Sequence, residues 1–129
     1  MSAASDIVDY LATQNYGVAG QNIFAGKLPD APDDVIAVFD SGGRPSIKSV
    51  ESTTQIDFHS VLIKVRNMEA DESSTTAKNL HALLDGLKDK TWSGKLYFLL
   101  IALQPPFLLE RDTHERAIYA FNIEVQKER

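Results

Sequence analysis

Three histidines, eighteen carboxylates and no cysteine are the raw material for chemistry in this chain. His81 and Asp85 stand four apart where the periodicity is helical, so they share a face and form a possible metal pair. Two ligands do not make a site, and no HExxH pattern or further carboxylate accompanies them; a solvated helix face is the plainer account. His114 adjoins Glu115 in a charged turn. His59 lies among apolar strand residues, where packing or an interface suits it better than acid–base work. Asp30, Asp33, Asp34 and Asp40 cluster, but a calcium loop needs alternating ligands, a central glycine and a closing bidentate Glu. Prolines interrupt this run, which reads as a solvated anionic rim. Ser41-Gly42-Gly43-Arg44 follows a strand yet matches neither GxGxxG nor a phosphate-cradling P-loop. No serine has a His and an Asp at a recognisable spacing. Without cysteine there is no thiol nucleophile, thiolate zinc site or disulfide. The chain is therefore read as a non-enzyme that needs no cofactor and no metal.

The elements that place these residues follow from periodicity. Ser5, or alternatively Ser2, caps a first helix over 6–14, with Ile7, Val8 and Leu11 on one face and Asn15 and Gly17 at its end. The stretch 22–43 then organises the chain: a short strand at Asn22–Phe24, a bend at Gly26, a stiff acidic loop through Pro29 and Pro32, and a strand at Val35–Asp40. Both prolines fix φ and lack an N–H, so the loop joins neither a helix nor a ladder. The polar run Ser41–Thr54 reads as a long exposed loop or a hairpin tip. Gln55–Asn67 reads as a long strand whose apolar phase slips near His59-Ser60. Either a bulge sits there or the two ends bury opposite faces. A second helix is predicted from about Thr75 to Lys88, capped by Ser73 or Ser74, with Leu80, Leu83, Leu84 and Leu87 as its stripe. Trp92-Ser93-Gly94 is a turn. Leu96–Gln104 is apolar on both faces, and Pro105-Pro106 ends it. Phe107–Glu110 is a short strand or an extended segment, Arg111–Arg116 a charged turn, and Ala117–Gln126 an alternating strand.

The resulting order is α-β-β-β-α-β-β-β in a single domain over 1–129. It predicts an α+β fold: a mixed, mostly antiparallel sheet of five or six strands with two helices on one face. Two helices cannot cover both faces of such a sheet, so another copy of the chain is the simplest cover for the second. The net charge of −5 disfavours gripping a phosphate backbone, although an acidic wall suits a channel through which DNA slides without sticking. The N-terminus shows no basic and apolar signal-peptide pattern. The longest apolar run, Leu96–Leu103, is well short of the roughly 20 residues a spanning helix needs, so a soluble protein is expected.

In order and spacing, several features together resemble the small minor capsid and tail-terminator-like proteins of long-tailed bacteriophages. They are the first helix with Ile7 and Leu11, and Asn22-Ile23-Phe24-Ala25-Gly26 followed by Leu28-Pro29 and Pro32-Asp33. Asp40-Ser41-Gly42-Gly43 with Pro45, Val65-Arg66 at a strand end, the leucine helix, and Arg116 leading into Tyr119 and Phe121 complete them. The resemblance covers nearly the whole chain. It implies an α/β sandwich whose sheets meet between neighbours, in a structural protein that forms a ring, commonly a hexamer. The ring caps the finished tail tube, halts its polymerisation and joins the head connector. The implied partners are further copies of the chain, the major tail tube protein and the head-tail connector or head-completion protein. Genomic DNA passes the lumen without specific binding. The implied location is the head-proximal end of the virion tail, after assembly in the host cytoplasm. A head-completion or adaptor protein at the same junction is the alternative.

Three surfaces are expected to make these contacts. The first is the run 41–54, centred on Arg44, Ile47, Lys48 and Val50. The second is the charged turn with Arg111, Asp112, His114 and Arg116, read either as a tip laced with weak surface pairs or as a docking tip. The third is the acidic rim with Pro29, Asp33 and Asp34.

Overall fold

Strict alternation at the C-terminal end of the chain produces the strand on which the sheet is centred. A computed structural model describes residues 2–48 and 55–129, with side chains except those of 44–48 and 55. In chain order the elements are α1 (Ala3–Thr13), β1 (Ile23–Ala25), β2 (Val35–Lys48), β3 (Gln55–Asn67), α2 (Ala70–Leu84), β4 (Lys88–Trp92), β5 (Lys95–Ala102), β6 (Phe107–Arg111) and β7 (Ala117–Glu128). They form one sheet in the order β1-β2-β3-β7-β5-β4, with β6 also paired to β7. Among the described strands only the β1–β2 pair is parallel, and an isolated parallel bridge, Ala19↔Ile23, lies against the outer side of β1. This is the expected α+β, mostly antiparallel architecture, with β4 as a strand beyond the five or six predicted.

Both helices bury their apolar stripes on the same face. Ile7, Val8 and Leu11 of α1 and Ala77, Leu80 and Leu84 of α2 join Val38, Val61, Ile63, Val65, Phe121, Ile123 and Val125 in one core. Fully burying Leu80 and Leu84 stabilises the fold by roughly 1.5–3 kcal/mol each before chain entropy is counted. The cap of α1 is Ser2, the alternative to Ser5: its hydroxyl accepts from the Ser5 amide at 3.1 Å. Asn15 takes φ 65° just beyond the helix. The second helix starts five residues earlier than its leucine pattern predicts. Glu69, whose amide donates to Asn67 Oδ1 at 2.9 Å, precedes its first turn. Ser73 is therefore not a cap. It is buried inside the helix and donates to the Val65 carbonyl at 2.7 Å, tying α2 to β3. The helix stops at Leu84, so Leu87 packs from outside it.

The ladder settles the phase slip in β3. From Ile56↔Glu128 to Asn67↔Ala117, β3 pairs with β7 without a break. The extra residues lie in β2, whose pairing to β3 shifts between Asp40 and Gly43 and again between Arg44 and Ile47. Each shift sets two β2 residues against one of β3, a bulge, and Pro45 sits in the second, where a missing N–H breaks no ladder bond. Phe58 thus faces away from Val61, Ile63 and Val65. Of the two readings of 41–54, the hairpin holds through Lys48↔Gln55; the remainder of that run lies outside the described residues.

β5 and β6 lie end to end along one side of β7, separated by the Pro105-Pro106 break. A register shift at Phe98 lets both Tyr97 and Leu100 reach the core, where they are fully buried. Tyr97 donates to the buried Asp6 carboxylate, which also accepts from Ser93 Oγ at 2.6 Å, pinning α1 to the β4–β5 hairpin. Among the described residues no helix is long and apolar enough to cross a membrane.

Candidate functional site

The proline-rich stretch 27–34 has carbonyls without ladder partners, and two arginines from distant strand ends supply the donors. Arg66, at the end of β3, donates from Nε to the Asp33 carbonyl at 3.0 Å. Its Nη2 donates to the Pro29 and Pro32 carbonyls, each at 2.6 Å. Arg116, just before β7, donates from Nη1 to the Asp30 carbonyl at 2.6 Å and to Asp33 Oδ1 at 3.1 Å. Its Nη2 reaches Asp30 Oδ1 at 2.7 Å, and its Nε reaches Asp112 Oδ2 at 2.7 Å. Both arginines are buried. A planar guanidinium with five donors suits this geometry, and a lysine ammonium does not.

The β6–β7 hairpin tip completes the clamp. Asp112 Oδ1 accepts from the His114 and Arg116 amides, each at 3.0 Å, folding the turn around its own carboxylate. His114 Nε2 lies 3.5 Å from Asp30 Oδ1. The Arg116 hydrogen bond and the His114 charge hold the Asp30 carboxyl below its ordinary value. Burial pushes Asp112 upward, but hydrogen bonds from Arg116 and His114 outweigh it and its pKa also falls. Burial acts to lower the Arg116 pKa, and its bonds to Asp30 and Asp112 more than offset that. Arg66 is lowered by burial and by the neighbouring Arg116 charge, and it remains protonated at any physiological pH.

The structure brings together Pro29, Asp33, Asp112, His114 and Arg116 from two of the expected surfaces. It places Asp112 and Arg116 inside the chain's own network rather than on a free tip. Arg111, His114 and Asp34 remain exposed, and Arg111 Nη1 donates to the Glu115 carbonyl at 3.2 Å. Arg44, Ile47 and Lys48 lie on β2 opposite Phe58, Ile56 and Gln55, toward the end of β3 remote from Arg66 and the clamp. Val50 lies outside the described residues. By its sequence pattern Arg66 marks only a strand end. The signal that finds its role is a carbonyl-rich proline loop beside an arginine with no acidic neighbour in sequence.

The histidines do not converge. Asp85 follows the last residue of α2, and its Oδ1 accepts from the Ala102 amide at 2.9 Å, while the His81 ring meets the Phe121 ring at 5.5 Å. His59 Nε2 lies 3.9 Å from Asp57 Oδ2. Among the described residues no group of three or more His, Asp or Glu is placed to hold a metal ion. The arrangement holds a loop and a hairpin tip in fixed shape, which is work for a contact surface.

No individual curated protein matches the chain closely. The family model described as bacteriophage tail terminator protein matches residues 10–129, from within α1 through β7. That span includes the clamp, the bulged β2–β3 hairpin and the whole sheet, and the chain belongs to the bacteriophage tail terminator family.

Proposed function

We propose that the chain is a subunit of a ring, hexameric in its finished form, that caps the phage tail tube. The ring stops tube polymerisation and gives the head connector a surface to join. The observation that carries this reading is the family match over 10–129. A net charge of −5 fits a lumen that lets DNA pass without adhering. The protein works by fit and performs no bond chemistry. It sits at the head-proximal end of the tail after assembly in the host cytoplasm.

Tail length is the direct readout. Tails assembled without this protein grow to irregular, excess length, and adding the purified protein restores one length. Uniform tails in its absence would refute a terminating role. Copurification with tails made without capsids supports the terminator over a head-completion adaptor, which instead tracks with capsids made without tails. For the β2–β3 hairpin, replacing Arg44 and Lys48 by Glu abolishes capping or joining while the monomer stays folded. Normal tail length and infectivity in that variant would remove the hairpin from the contact surface.

A further inference from the structure

Charge is sorted along the strand axis of the sheet. The clamp end carries exposed carboxylates, among them Asp30, Asp33, Asp34, Glu69, Asp71 and Glu72. At the opposite end Lys48 pairs with Gln55, Asp57 with Lys127, Tyr97 with Lys127 and Trp92 with Lys95. That end gathers Lys48, Lys95, Lys127 and Arg129 in a chain whose net charge is −5. A cleft of about 260 Å³ opens there, between the start of β3, the β4–β5 turn and the end of β7, beside the first turn of α1.

The carboxylates of the cleft are already engaged. Asp6 is buried and accepts from Tyr97 and Ser93. Glu128 Oε1 accepts from the Leu96 amide at 2.9 Å. Asp57 Oδ2 lies 3.9 Å from His59 Nε2 and 4.0 Å from Arg129 Nε. The two ammonium groups are held differently. Lys95 Nζ donates to the Arg129 carbonyl at 2.7 Å, and Lys127 Nζ sits 4.9 Å from the centroid of the Tyr97 ring. A carbonyl and a ring face orient a cation without neutralising it. Among the described residues neither lysine forms an ion pair with a carboxylate. A free surface lysine loses rotamer entropy when a partner fixes it. These two are positioned in advance, and their charge is uncompensated.

We infer that this cleft docks a carboxylate-bearing segment of another virion protein, received by Lys95 and Lys127. The inference rests on the tail reading above for the partner's being a virion protein, and it adds the chemistry of that partner's surface. A nucleic acid fits worse. Gripping a duplex takes roughly 6–10 phosphate contacts, and Asp57 and Glu128 stand among the cations here. A single carboxylate side chain reaches the two lysines without a phosphate backbone following it. A second copy offers its own acidic clamp end, but a basic end set on an acidic end repeats without closing and builds a filament, the opposite of termination. A different, acidic protein is therefore the occupant.

Carbodiimide coupling tests this in the intact assembly, because it joins an ammonium and a carboxylate in contact as an amide, with loss of water. Purified virions and tails are treated, and the links are mapped by mass spectrometry. The expected products join Lys95 or Lys127 to an Asp or Glu of a different virion protein. In parallel, Lys95→Gln with Lys127→Gln weakens rejoining of the purified protein to tails or capsids about 10-fold at low salt, with the thermal midpoint within a few degrees of wild type. Wild-type joining weakens likewise at high salt. No links from these lysines, or links only within the chain or to the acidic end of a second copy, overturn the inference. So does a double variant that joins with wild-type affinity. Salt-sensitive retention of duplex DNA that the double variant loses assigns the cleft to nucleic acid and overturns it as well. All of these leave the tail reading standing, since the chain is still found in the virion. Its absence from purified virions and tails overturns both.

Discussion

Arg66→Met isolates the neutral half of the clamp. The substitution keeps the apolar stem and removes the guanidinium that binds the Asp33, Pro29 and Pro32 carbonyls at 3.0, 2.6 and 2.6 Å. A hydrogen bond to a charged group contributes about 1.5–3 kcal/mol, so three set a ceiling of roughly 5–9 kcal/mol. Two terms pull the net effect well below that ceiling. Burying the charge is costly, and Arg116 repels it, as its lowered pKa records. The freed carbonyls also lie in a surface loop and regain water. The expected loss is about 3 kcal/mol, or a fall in Tm of about 9–15 °C for a domain of this size. Arg66→Lys recovers only part, because an ammonium does not fork to three carbonyls. Urea and thermal unfolding measure the loss, and limited proteolysis after Lys27 reports the freed loop. Since the partners are neutral, the deficit persists at high salt. A variant within 0.5 kcal/mol of wild type, with an unchanged cleavage rate, would refute the clamp.

Tyr97→Phe leaves the buried Asp6 carboxylate without one of its donors and lowers stability by about 1–3 kcal/mol, read by urea unfolding. Gly43→Ala places a Cβ 2.0 Å from the Phe58 carbonyl oxygen at φ +154°. The bulge must then open, and loss of amide exchange protection along 55–60 with intact protection in β7 is the expected signature. Asp30 and Asp112 have folded pKa values below their ordinary 3.8. Their contribution is therefore full above the unfolded pKa and disappears as pH falls through the lower folded values. Melts from pH 7 to pH 2.5 show an acid limb that Asp30→Asn with Asp112→Asn flattens; an unaltered limb contradicts the assignment.

What was legible in the sequence is what local pattern encodes. The alternation of Tyr119, Phe121, Ile123 and Val125 gives the core face of β7, and the spacing of Ile7, Val8 and Leu11 gives that of α1. The β4 strand, Lys-Asp-Lys-Thr-Trp, escaped because a charged edge strand has no alternation to show. The start of α2 escaped because the leucines begin only at Leu80, nearly three turns after the backbone turns helical at Ala70; Asn67 marks the start through a hydrogen bond rather than through hydrophobicity. The slip in β3 was visible, but its cause lay in the partner strand. The clamp escaped for a deeper reason. Arg116 meets Asp30 across 86 residues and Arg66 meets Pro29 across 37, and no local periodicity carries pairings of that span.

The clamp also decides how the charged turn is to be tested. Arg116 is buried among Asp30, Asp33 and Asp112, so replacing it disturbs the fold and the loop together, and a defect in tail joining would not report contact. Arg111 is different. It is exposed, and its side chain donates only to the Glu115 carbonyl at 3.2 Å among the hydrogen bonds described. An exposed hydrogen bond of this kind contributes little, so Arg111→Glu leaves stability within about 0.5 kcal/mol. Any change in tail capping or head joining by this variant then belongs to the surface itself. If Arg111→Glu assembles and joins normally in a tail-length and infectivity assay, charge at the hairpin tip is dispensable, and the tip is a fold element rather than a docking surface.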